Sequence, residues 1–272
     1  MTGGVDTPVA IIGTGRMGSG LTGALNAAGV PTRLIGRSRR PDDTRNAGLV
    51  LIVTPDEAIV TVAAELARDG AIASDQVVLH TSGLLDRLAL HALGSTGAGL
   101  GSFHPLQSIA DPATARERLA GAYAALEGDE RALSVGERLA SSLGMRSVRL
   151  GPGAKAAYHA GAVFASNYLV VIAAVAEELA RRAGVSADEA AALYLPLMRG
   201  TVANLAAGPA AALTGPIRRG DEATVRAHLD TLEPDRRRLY CLLGLEALAL
   251  ARAAGLQEGL ASAVERALTS SG

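Results

Sequence analysis

The stretch VAIIGTGRMGSG, residues 9–20, constrains this chain more than any other part of it. It sets Gly13, Gly15 and Gly18 in G-x-G-x-x-G spacing, directly after a strand-like apolar run and at the head of a helical pattern. Glycines so placed permit a tight turn, close approach of backbone to a pyrophosphate, and close helix–sheet packing, while the helix N-terminus faces the anion. Glycines also punctuate ordinary turns, so the match takes its meaning from the strand–turn–helix setting. It predicts a dinucleotide site in which Gly13, Thr14, Gly15, Arg16, Met17 and Gly18 meet the cofactor.

The pattern that follows supports this. Short apolar runs alternate with helical stretches, the signature of a parallel sheet covered by helices. Strands are expected at 8–12, 32–36, 49–55, 76–83, 97–105, 121–128 and 146–151, with Asp129 capping the helix between the last two. Between Arg40 and Gly48 there is too little chain for the helix and strand that usually follow the second strand, so one crossover is expected to be trimmed to a loop. After LGPGAK no strand is convincing. One helix is expected from Lys155 to Ala183, ended by Gly184, and Ser186 with Glu189 forms a capping box for the next. A Gly- and Pro-rich connector at 206–221 precedes the last helices, the final one around Leu256 to Leu268. The fold class is therefore α/β: a doubly wound, parallel Rossmann sheet over residues 1–151, then an all-helical domain for substrate and dimerisation over 152–272.

Composition narrows the partners. Nearly half of the 272 residues are apolar and the net charge is −1, which excludes disorder and gives no hint of a nucleic-acid partner. The single Cys241 has no disulfide partner and suits a reducing cytoplasm. MTGGVDTP is polar and unlike a signal peptide. The apolar run around 160–176 is interrupted by Ser166, Asn167 and Tyr168 and reads as too short to cross a bilayer, so a soluble, cytoplasmic protein is expected. No Cys/His or His/carboxylate cluster suggests a metal.

Cofactor choice is read at the end of the second strand. NAD sites usually place Asp or Glu there, whereas this chain has Gly36 followed by Arg37, Ser38, Arg39 and Arg40. Guanidinium and hydroxyl groups suit a 2′-phosphate, so NADP is expected, with Arg37, Ser38 and Arg39 as its contacts. The plainer reading is a solvated basic turn. Thr54 and Pro55, closing the third strand, are also expected at the cofactor.

Candidates for chemistry lie where strands end. Ser82 in HTSG and His104 in GSFHPLQS fall at such ends, which face the ligand crevice of a doubly wound sheet. Their plainer roles are a turn former and a hydrogen-bonded loop histidine. His80, His91 and His228 have no spacing to recommend them. In KAAYHAGAVFASN, Lys155, His159 and Ser166 share one stripe within roughly 40° at helical spacing, and Asn167 flanks it. A hydride delivered to C=O or C=N calls for a proton donor, and Lys155 or His159 can serve, with Ser82, His104, Ser166 and Asn167 facing the substrate. Otherwise the stripe is a set of satisfied core polar groups.

GTGRMG, HTSG, GSFHPLQS, KAAYHAGAVFASNYL and ALTGPIRRGD, taken in order, cover nearly the whole chain. As a set they resemble the bacterial Rossmann-like proteins carrying a domain of unknown function 2520, within the 6-phosphogluconate dehydrogenase-like superfamily. The resemblance implies a Rossmann domain followed by a helical domain that often dimerises, and a nicotinamide-dependent reductase or dehydrogenase activity. GPGAKAAYH is distantly similar to the glycine turn and catalytic lysine of beta-hydroxyacid dehydrogenases, but His159 stands where they carry Asn, and the glycine–lysine spacing is shorter. FHP is similar to the strand-end His-Pro of prephenate dehydrogenases.

The expected function is an NADP-dependent reductase acting on a small 2-oxo acid or related carbonyl compound, ketopantoate-like in size, in a homodimer. The alternatives are an imine reductase resembling pyrroline-carboxylate reductase and, from another class, a non-catalytic dinucleotide-binding regulatory protein.

Overall fold

A computed structural model describes residues 4–270. Seven strands form one sheet: β1 (Val9–Ile12), β2 (Thr32–Ile35), β3 (Leu49–Ile52), β4 (Val77–His80), β5 (Gly99–Pro105), β6 (Tyr123–Gly128) and β7 (Arg146–Arg149). Their spatial order is β2-β1-β3-β4-β5-β6-β7. The first five are mutually parallel, as expected of a Rossmann sheet, while β6 runs antiparallel to β5 and β7 follows β6 in parallel.

Central strands are buried on both faces, which is why they read as unbroken apolar runs rather than alternating ones. Val9, Ile11, Leu49, Leu51, Val77 and Leu79 enter one core cluster; Ala10, Ile12, Val50, Ile52 and Val78 enter the other. The first cluster is closed by α1 (Arg16–Ala27) and α5 (Glu130–Ser142), the second by α3 (Asp56–Arg68) and a 3₁₀ segment, Arg87–Thr96. The Asp129 carboxylate accepts from the Ala132 N–H, so the expected cap is made. The crossover is trimmed, though one helical turn, α2 (Asp42–Arg45), stands where a loop is expected, and the chain passes from β2 across β1 to β3. The sheet order therefore reverses between β1 and β3, at the point where such sheets bind ligands. The short α4 (Ala115–Leu119) lies between β5 and β6.

The chain divides into two compact units, residues 1–169 and 170–272. Strands end near residue 151, where the sequence suggested a boundary, but α6 (Lys155–Ala165) belongs to the first unit. The single helix expected over 155–183 is two: α6 stops at Ser166, whose φ of −121° and ψ of −69° leave the helical region, and α7 (Asn167–Arg182) begins at once. The expected bilayer criterion also fails to exclude this segment. Lys155–Arg182 is long and apolar enough to cross a membrane by length and composition, and none of its most apolar window is buried.

The second unit is helical: α8 (Ala187–Leu193), α9 (Leu195–Asn204), α10 (Pro209–Ala212), α11 (Pro216–Arg219), α12 (Glu222–Thr231), α13 (Pro234–Ala253) and α14 (Glu258–Thr269), besides most of α7. The Ser186 hydroxyl accepts from the Glu189 N–H and so caps α8 as its sequence predicts, but it also donates to the Glu189 carboxylate, so that the return bond is to the hydroxyl and not to the Ser186 N–H of a full capping box. Its core is small and lies among α12, α13 and α14, with Val225, Leu229, Leu248, Val264 and Leu268 buried together.

Candidate functional site

The glycine turn forms its cradle for different reasons at each position. Gly13 has φ +128°, and a Cβ there would stand 2.2 Å from the Val53 carbonyl oxygen. A Cβ on Gly18 would stand 1.9 Å from the Gly13 carbonyl oxygen, so α1 can pack against the turn only with glycine at that position. Gly15 differs: its φ is an ordinary −71°, and a Cβ would meet no protein atom within 4 Å. The space over Gly15 opens into a cavity of about 560 Å³ at the β1/β3 switch point. Gly13, Thr14, Gly15, Arg37, Arg39, Thr54 and Pro55 border it, so these expected cofactor positions converge on one cleft, with Gly36 beside them. Arg16, Met17, Gly18 and Ser38 are not among its lining residues; Arg16 opens α1 and Met17 packs against the core.

Two features show that this cleft fits a dinucleotide. The Thr54 hydroxyl is the buried side-chain polar atom left without a partner among the described residues, and it lies at the cleft. An orphaned hydroxyl of this kind carries a cost unless a ligand or water satisfies it. The second feature is the empty face of Gly15, which leaves backbone N–H groups at the head of α1 accessible to an anion.

Arg39 and Glu65 form an ion pair across the cleft, with the Arg39 side chain only 13% exposed. Glu65 belongs to α3, whose face at Ala58, Thr61, Val62 and Glu65 repeats at helical spacing and walls the cavity opposite Gly36–Arg39. Nothing in the sequence near the arginines announces this carboxylate.

A second cluster gathers at the ends of β4 and β5. Lys155 opens α6 and is 3% exposed, so the expected stripe begins with a buried ammonium. It donates to the Ser82 carbonyl oxygen at 2.6 Å and to the Ser102 hydroxyl at 2.9 Å. Burial pulls its pKa down to about 8, against the upward influence of Glu127, Asp56 and Asp86. Ser82 itself is buried: its hydroxyl donates to the Asp56 carboxylate at 2.7 Å and accepts from the N–H groups of Leu84 and Leu85. Its bonds are those of a loop organiser. His80, which its sequence setting did not recommend, completes that loop. Its Nδ1 accepts from the Ser82 N–H, leaving Nε2 to donate to the Asp86 carbonyl oxygen.

His104 and His159 meet over Gly83. A Cβ on Gly83 would lie 2.4 Å from the His159 ring and 3.0 Å from His104 Nε2. The two imidazoles stand edge to face, with centroids 6.0 Å apart. His104 Nδ1 is 2.9 Å from the Tyr158 hydroxyl, a pairing that sequence reasoning missed because Tyr158 lies off the Lys155 stripe. Burial, then the charges of Lys155 and His159, push the His104 pKa down to about 4, and burial pushes Tyr158 up to about 12. At neutral pH both are therefore uncharged. His104, Tyr158, His159, Ser166 and Asn167 line one cavity of about 700 Å³, together with Gln107 and Ser108. Lys155 and Ser82 are not part of that wall. Lining of this kind offers hydrogen-bond donors and acceptors around a small molecule. No group of three or more His, Cys, Asp or Glu among the described residues is placed to hold a metal.

Residues 122–247 match the model of the domain of unknown function DUF2520. The chain thus has a Rossmann-like fold and, over those residues, a match to DUF2520. Its fold is shared by a candidate NADP oxidoreductase of Bacteroides fragilis, 20% identical with a TM-score of 0.66, over 92% of this chain and 98% of that one. A protein of Thermotoga maritima is 24% identical with a TM-score of 0.64, over 93% and 98%. A Plasmodium falciparum pyrroline carboxylate reductase with NADP bound is 13% identical with a TM-score of 0.56, over 99% and 98%. At these identities the likeness is one of fold. No curated protein matches the chain in sequence.

Proposed function

We propose that this DUF2520 protein is an NADP-dependent oxidoreductase that reduces a small carbonyl compound of 2-oxo acid type, ketopantoate-like in size. The observation that carries the reading is the open cradle over Gly15 with the unpartnered Thr54 hydroxyl beside it. The turn Gly13–Gly18 and the head of α1 would hold a pyrophosphate, and Arg37 and Arg39 would meet a 2′-phosphate, with Ser38 between them. A bound nicotinamide dinucleotide supplies the hydride. His159, on the cavity wall, is suited to hold the proton that a carbonyl oxygen takes up as its carbon is reduced. Lys155 supports that wall from beneath. It fixes the start of α6 to Ser82 and Ser102, and its charge reaches His104. Positive charge so placed favours an oxygen that becomes negative.

Titration of NADPH and NADH against wild type and Arg37→Ala tests the cofactor. NADPH is expected to bind wild type more tightly by about 1–3 kcal/mol, an advantage that the variant loses. Equal wild-type affinities would overturn the assignment. NADPH oxidation over a panel of 2-oxo acids and cyclic imines tests the chemistry. On the substrate so found, His159→Ala should lower turnover about a hundredfold or more with NADPH affinity nearly unchanged, and Lys155→Met, which removes the buried charge behind the wall, should lower turnover in the same direction.

A reductase of cyclic imines is the second reading. It is favoured by the whole-chain likeness to the NADP-bound pyrroline carboxylate reductase. Turnover confined to the imine arm of the panel selects it. Tight NADPH binding with no turnover on either arm selects a non-catalytic dinucleotide-binding regulatory protein.

A further inference from the structure

The cleft at the β1/β3 switch point carries more negative charge than the residues after β2 suggest. Its walls hold Arg37 and Arg39, but also Glu57 and Glu65, both from α3. Charges of opposite sign are therefore equal in number along this lining. Glu65 is the carboxylate with a defined partner: it is paired with Arg39, whose side chain is largely withdrawn from solvent. The pairing is not an accident of neighbouring sequence, since the two residues lie 26 positions apart on different elements. Arg39 reaches across from the segment after β2, and Glu65 closes the face Ala58–Val62–Glu65 of α3.

A guanidinium has five N–H donors in a fixed planar fork, and a carboxylate or a phosphate can each occupy the same pair of them. A 2′-phosphate entering this cleft meets an Arg39 one of whose terminal nitrogens already donates to the Glu65 carboxylate. It either displaces the Glu65 carboxylate from that nitrogen or binds an Arg39 whose charge the carboxylate has already partly neutralised. A 2′-hydroxyl carries no charge and can leave the pair intact. We propose that Glu65 competes with the cofactor's 2′-phosphate for Arg39, and so sets how strongly the cleft discriminates between phosphorylated and unphosphorylated dinucleotides. Glu65 is a positioning residue in this role, acting through Arg39. The inference rests on the reading of the cleft as a dinucleotide site with Arg37 and Arg39 at the 2′ position.

The test is the ratio of NADH to NADPH dissociation constants, measured by calorimetry on the full chain, for wild type, Glu65→Gln, Arg39→Met and the double variant. Glutamine keeps the size of the side chain and its helix propensity while removing the charge, and position 65 is on the accessible side of α3, so the fold is expected to persist. Glu65→Gln should raise the ratio about tenfold, through tighter NADPH binding with NADH nearly unchanged. In the Arg39→Met background the same change should move the ratio by less than about twofold, because the partner it acts through is gone. A ratio that stays level or falls in Glu65→Gln overturns the inference while leaving dinucleotide binding in place. An equal gain with and without Arg39 overturns it too, since the carboxylate would then act on the phosphate directly. Failure of wild type to bind either dinucleotide overturns the reading of the cleft and the inference together.

Discussion

Three glycines of one motif are required by different neighbours, and substitution separates them. Ala at Gly18 drives a methyl into the Gly13 carbonyl oxygen, an overlap with a backbone atom that no side-chain rotation relieves. Gly18→Ala should therefore cost about 1–3 kcal/mol of stability, read as a lower urea midpoint. Ala at Gly15 meets no protein atom and keeps an ordinary φ, so Gly15→Ala should unfold at the wild-type midpoint. The same methyl projects where a pyrophosphate would approach the backbone, and NADPH binding should weaken about tenfold or more. A stable Gly18→Ala, or a Gly15→Ala with undiminished NADPH affinity, would contradict these assignments. The spacing made the motif legible, but three identical letters do not reveal which glycine makes room for protein and which for ligand. Ser82 shows the same limit: its place at a strand end predicts a hydroxyl facing substrate, whereas its bonds to Asp56, Leu84 and Leu85 commit it to the loop.

At the scale of elements, the end of β4 and the loop that follows depend on the protonation of His80. The imidazole is fully buried, and burial outweighs its hydrogen bond to Asp86 in setting its pKa, which falls to about 4. The bond that Nδ1 accepts from the Ser82 N–H also requires the neutral ring. Between the ordinary histidine value of 6.5 and about 4, the unfolded chain binds a proton that the folded loop refuses. Stability from this residue is thus complete above pH 6.5 and is lost as pH falls toward 4. The urea midpoint should drop over that window, and His80→Gln should flatten the drop whatever its effect at pH 7. An unchanged slope in the variant would show that other groups carry the acid sensitivity. Continuous composition predicts one helix over 155–183, whereas its break at Ser166 is a backbone event that periodicity does not register.

In the whole molecule, apolar surface remains uncovered. Val170 and Leu197 are 68% and 66% exposed, Phe164, Val202 and Leu242 are exposed as well, and α9 buries no residue at all. In α7 only Ala180 is buried, so these helices have the composition of core elements without a core of their own. Monomeric proteins rarely leave so much large apolar side chain in water. We propose that a second copy of the chain covers it, since a two-fold pair lets one such face satisfy its equivalent and no partner of different chemistry is needed. Light scattering at micromolar concentration should give a dimer, and Val170→Asp with Leu197→Asp should shift it toward monomer. A wild-type monomer, or a monomer that sediments with lipid vesicles, would overturn this reading.

The sequence by itself determined the central parallel strands and the shortened second crossover, because strands buried on both faces must be apolar throughout and a nine-residue link cannot hold a helix and a strand; that β6 turns antiparallel to β5 only the tertiary structure decided. The sequence determined the glycine turn too, since turn geometry is written in consecutive residues. The tertiary structure alone decided what stands opposite each candidate side chain. Glu65 meets Arg39, Tyr158 meets His104, and Lys155 is drawn beneath the cavity wall by Ser82 and Ser102. Each pairing joins elements far apart in the chain, held together by packing of the sheet and its helices. Local spacing records which face of an element a side chain occupies, but the partner on the facing element is fixed only when the two are packed together.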